Sequence, residues 1–100
     1  MSDQGQRKAG ETAALRRFPS ERRLIEALVL RDSDFADMCE ELAEAEDALR
    51  AADRLPEAVR QERAGEWTDY IERLTAEIAR ALREANETRI GWAGHPRKRL

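Results

Sequence analysis

One stretch constrains this chain more than any other: Asp34 to Arg54, DFADMCEELAEAEDALRAADR. Its apolar residues fall at Phe35, Met38, Leu42, Ala45, Leu49 and Ala52, in alternating steps of three and four. That spacing is the seam of a helix laid lengthwise against another helix. A second seam runs through Trp67, Ile71, Leu74, Ile78, Ala81 and Ala85, with Tyr70 and Leu82 beside it. Two such seams predict an all-α chain built on an antiparallel two-helix coiled-coil hairpin.

The punctuation of the chain supports that reading. Pro56, in Leu55-Pro56-Glu57, cannot continue the preceding helix but suits the first turn of the next. Gly65 predicts either a kink or a loop between Ala52 and Gly65. Upstream, Phe18-Pro19-Ser20-Glu21 reads as a helix start. Ser20 is the expected N-cap, Pro19 blocks backward extension, and Phe18 staples onto Leu24 or Ile25. The helix that follows, RRLIEALVLR, is too short to stand alone and must dock on the long one. Asp32-Ser33-Asp34 restarts the chain, with Ser33 the first choice of N-cap and Asp32 the second.

The expected organisation is a disordered polar tail over 1–14, a helical hairpin domain over 15–86 with a short leading helix, and a basic tail over 87–100 that begins after Asn86. One hundred residues make one small domain. A two-helix layer has no enclosed interior, so the apolar surface left over predicts self-association into a helical bundle, a dimer being favoured. The seam residues Phe35, Met38, Leu42, Leu49, Trp67, Ile71, Leu74 and Ile78 are therefore the candidate interaction set.

Charge is unevenly spread. Residues 34–54 carry eight acidic and two basic groups, whereas 87–100 carry one acidic and four basic groups. An acidic body argues against a nucleic-acid-binding core. The alternative is an accessory role in nucleic-acid or anion binding through the tails, using Arg16 and Arg17 at one end and Arg97, Lys98 and Arg99 at the other. So few charges support only weak, salt-sensitive contact, and a solubilising end is the expected role.

Nothing in the sequence assembles a reactive centre. The single cysteine, Cys39, sits mid-helix and reads as a small hydrophobe, and the single histidine, His95, falls in the basic tail. The acidic stripe Glu40, Glu44 and Asp47 lacks the Glu-x-x-His partner of a bundle metal site. Asp32-Ser33-Asp34 lacks the glycine and distal glutamate of a calcium loop. There is no glycine-rich phosphate loop and no nucleophile–base set. The expectation is a non-enzymatic protein without catalytic residues, metal or cofactor. With no leader-like segment and no apolar run of membrane-spanning length, the expected location is cytoplasmic.

Phe18-Pro19, Leu24-Ile25 with Leu28, Phe35 after a seven-residue step and a polar break, and Ile71-x-x-Leu74-x-x-Glu77-Ile78 together resemble the small bacterial YdcH family. The resemblance covers about two-thirds of the chain and implies a helical hairpin with a short leading helix. It brings no catalytic residue, since that family has no settled function. The N-terminal extension, the Gly65-Glu66-Trp67 junction and the segment after Asn86 depart from the family pattern.

Overall fold

Asp32 shows how this sequence is cut into helices. Its backbone is extended (φ −122°, ψ 102°), and its carboxylate accepts hydrogen bonds from the N–H groups of Asp34 and Phe35, each at 3.1 Å. Those are orphan donors of the next helix's first turn, so Asp32 is the N-cap and Ser33 the first helical residue. The preference for Ser33 as cap is thereby corrected. The carboxylate has the reach to satisfy two donors and also opposes the helix dipole.

The computed structural model describes the backbone from residue 2 to 98 and side-chain surroundings from 5 to 88. It contains α1 (Ser2–Arg17), a 3₁₀ turn (Pro19–Glu21), α2 (Arg22–Arg31), α3 (Ser33–Ala51), a second 3₁₀ turn (Ala52–Arg54) and α4 (Glu57–Lys98). There is no strand among the described residues, so the all-α expectation is met.

Four local expectations are revised. The segment 1–14, expected to be disordered, is helical from Ser2, with Ala13 and Ala14 fully buried. Ser20 caps nothing: it lies inside the 3₁₀ turn, and no side chain caps either that turn or α2. The break expected between Ala52 and Gly65 is confined to Ala52–Pro56, and Gly65 itself lies inside α4, which starts at Glu57. The helix also passes Asn86 without stopping, and its backbone is helical to Lys98.

All four helices feed one apolar core. α1 gives Ala13 and Ala14, α2 gives Leu24 and Ile25, α3 gives Phe35, Cys39, Leu42 and Ala45, and α4 gives Ile71, Leu74, Ile78 and Leu82. Phe35, Ile25, Leu42, Ile78 and Cys39 are each less than 2 % exposed. The open two-helix layer expected from the seams is therefore replaced by an enclosed interior. α1 and α2 cover, within the same chain, apolar surface that the two-helix picture left bare.

α1 runs parallel to α3: Arg7 meets Asp37, and Arg16 meets Glu46, both thirty positions apart. Their backbones approach very closely at Gly10. A Cβ built there would lie 2.7 Å from the Glu40 nitrogen and 2.8 Å from the Cys39 carbonyl carbon. Only glycine lets two helices come so near at this point.

Candidate interaction surface

The predicted seam divides by depth. Phe35, Leu42, Ile71, Leu74 and Ile78 are buried, while Met38, Leu49 and Trp67 are half-buried and pack against the edge of the core. The deep members hold this chain's own helices together. Among the described residues, the large hydrophobic side chains left exposed are Leu30, at 87 %, and Val59, at 38 %.

α3 presents a different surface to α1. Ala36 and Cys39 are buried there and Ala43 is half-buried, a stripe of small residues matched by Gly10, Ala13 and Ala14 on α1. Around this stripe the charges interlock. Arg7 reaches Asp37 at 3.4 Å and Glu40 at 3.1 Å; Arg16 and Arg17 converge on Glu46 at 3.2 and 2.8 Å. Glu46 is only 8 % exposed, so its two arginines offset the desolvation of a nearly buried carboxylate. Arg16 and Arg17, candidates for anion contact, are thus engaged within the chain. Of the other candidates, the side chains of Arg97 and Lys98, and Arg99 altogether, lie outside the described residues, as do the side chains of Trp92 and His95.

Cys39 lies under α1. Burial, helped by the nearby carboxylates of Glu11 and Glu40, pushes its thiol up to about 12. At neutral pH the sulfur is a protonated, shielded hydrophobe, the opposite of an activated nucleophile.

The face of α4 toward α3 carries a short aromatic ladder. The Trp67 and Tyr70 rings sit 6.1 Å apart at 59°, and the Arg73 guanidinium lies 5.3 Å from the centre of the Tyr70 ring. Tyr70 donates its hydroxyl to Glu41 at 3.1 Å. Burial, and then that bond to an anion, raises the phenol above its ordinary value. Arg73 thus stacks on Tyr70, and further along the same helix Arg80 and Glu84 pair at 3.5 Å.

Two of the shallow grooves on the described surface carry large apolar side chains. One, of about 330 Å³ at the turn between α3 and α4, is lined by Ala48, Ala51, Ala52, Leu55, Val59 and Trp67, with Arg63 at its edge. The other, of about 880 Å³, lies between the first half of α1 and the end of α2, where Val29 and Leu30 meet Arg7, Lys8 and Arg31. Neither gathers a nucleophile with a base. The acidic stripe is dispersed as well: Glu40 is held by Arg7, Glu44 is exposed, and Asp47 pairs with Arg50. Among the described residues no three His, Cys, Asp or Glu side chains are placed to hold a metal ion, and no helix is long and apolar enough to cross a membrane.

The partnership of α1 with α3 is what sequence reading missed. Its signal is present, however: Gly10, Ala13, Ala14 and Arg17 recur at helical spacing, and Ala36, Cys39, Ala43 and Glu46 answer them in steps of three, four and three. Comparison with protein-family models, curated proteins and solved structures finds no match to this chain.

Proposed function

We propose that this chain is a non-enzymatic helical interaction and assembly module that associates with itself, most simply as a homodimer, and does so through α4. The observation that carries this reading is a mismatch of lengths. α4 has 42 residues and α3, its main neighbour, has 19. At 1.5 Å per residue the difference is roughly 35 Å of helix. From Glu57 to Glu66 every residue of α4 is exposed except Ala64, which is half-buried. A helix this long gains little stability from propensity alone and takes most of it from packing. An intermolecular neighbour would supply that packing, and the groove holding Val59, Leu55 and Trp67 offers it an apolar anchor.

In this reading α3 and α4 form an antiparallel coiled-coil hairpin, and two hairpins join into a helical bundle. The shallow members of the seams, Trp67 first and then Met38 and Leu49, make the contact, while the deep members stay within the chain. The resemblance to the YdcH family supports the hairpin. A cytoplasmic location is part of the same proposal.

Light scattering on the purified protein tests it. The expected mass is twice the 11.5 kDa of one chain. Val59→Glu puts a charge in the groove at a position already partly open to water, so the fold survives and the dimer separates. A wild-type chain that stays a compact monomer at every attainable concentration refutes the proposal.

A further inference from the structure

We propose that α1 is a strap: it opens and closes as a unit on the acidic face of α3, and ionic strength sets the balance. The inference stands apart from self-association and rests on how α1 is held. What α1 buries is small, namely Gly10, Ala13 and Ala14, with Leu15 half-buried beside them. Alanine buries a single methyl group, so apolar contact alone holds such a helix weakly. Its internal propensity is low as well, since Gly5 and Gly10 both lie inside it.

Charge supplies much of the remaining hold. Arg7, Arg16 and Arg17 grip Asp37, Glu40 and Glu46, and the arginine side chains are 41, 58 and 36 % exposed. Salt reaches these pairs from their arginine side, the Glu40 and Glu46 side chains being 20 and 10 % exposed, whereas it does not reach the deep apolar contacts between α3 and α4.

The junction permits the movement. Phe18 alone separates α1 from the turn at Pro19–Glu21, with φ −130° and ψ 64°. Pro19 keeps α1 from running on into α2, so rotation at Phe18 swings α1 without unwinding its neighbour. Leu24, Ile25, Phe35, Leu42, Leu74 and Ile78 remain packed on one another when it does. Opening lays bare Ala36, Cys39 and Ala43 and releases the shielded carboxylates of Glu40 and Glu46 to solvent. The strap thus governs access to an acidic strip of α3.

Cys39, the chain's only cysteine, reports the opening, because α1 covers it in the closed form. The experiment measures its labelling by a neutral maleimide in the full chain, at low and at molar salt. Labelling in urea-unfolded protein corrects for direct salt effects on the reagent. The expected result is labelling about tenfold faster at high salt, the effect of several partly exposed ion pairs lost together. Its denaturant dependence is shallower than that of global unfolding followed by circular dichroism, since only one helix is exposed. The double variant Arg16→Gln, Arg17→Gln labels fast at low salt and loses most of the salt response. A rate that ignores salt, or one that follows global unfolding with the same denaturant slope, overturns the proposal.

Discussion

α3 is clamped on two sides by unlike means. Toward α4 it offers large side chains, Phe35 and Leu42, against Ile71, Leu74 and Ile78. Toward α1 it offers Ala36, Cys39 and Ala43, bordered by carboxylates that arginines hold. The first interface gains its energy from buried apolar area, which salt does not weaken. The second gains closeness of approach but little area, and leans on charges that water and ions reach. One helix therefore has a permanent face and a conditional one. Stability and exchange need not be distributed evenly even in a chain of 100 residues.

The largest effect is expected at the permanent face. Leu42 is fully buried, and Leu42→Ala removes its side chain from the centre of the core. The cost is about 3 kcal/mol, from lost burial plus the cavity left behind. In a urea titration the whole chain should unfold at a lower midpoint in a single transition. If the variant instead loses only α1, with α3 and α4 still melting as in wild type, the ranking of the two interfaces is inverted.

How much of this was legible in the sequence follows the same division. Large apolar residues announce themselves by period, so the α3 and α4 seams, the turn at Pro56 and the helical class were all readable. The face toward α1 was not, because a stripe of glycine and alanine looks like ordinary solvent-facing helix. Two glycines in a polar segment look like disorder until a partner backbone gives Gly10 a reason. The caps failed for a narrower cause. Asp32 and Ser33 are adjacent and both are good caps, and only the backbone at Asp32 decides between them. The grooves were hidden for another reason: each is assembled from separate segments, and no local pattern encodes that meeting.

At the conditional face Gly10→Ala is the sharper instrument. The added methyl group meets backbone, which cannot rotate away as a side chain can. α1 must lift or shift, at about 2 kcal/mol, typical of overpacking a tight contact. Hydrogen exchange should show protection lost in α1 while the 67–82 segment of α4 keeps its own. Gly5→Ala serves as the control, since nothing lies within 4 Å of its Cβ position. There the usual gain from replacing a helical glycine should appear, and α1 should close more firmly. Should both substitutions loosen α1 alike, close approach at Gly10 is not what distinguishes the two faces.

The smallest effect belongs to the stretch of α4 that touches neither face. Gly65 lies inside the helix with open space around its Cβ position and no left-handed backbone conformation to require a glycine. Gly65→Ala should stabilise the surrounding helix by about 0.7 kcal/mol, through propensity and reduced freedom in the unfolded chain. That corresponds to roughly threefold slower amide exchange over 57–66. The comparison of α3's faces predicts that α1 labelling and the core midpoint hardly move, because the site is remote from both. A second readout separates a free helix from one awaiting a neighbour. If the substitution adds protection yet weakens the dimer, a partner backbone approaches Gly65 as Glu40 approaches Gly10. The exposed first stretch of α4, 57–66, would then be a second close-packing surface, built by the same rule as the first.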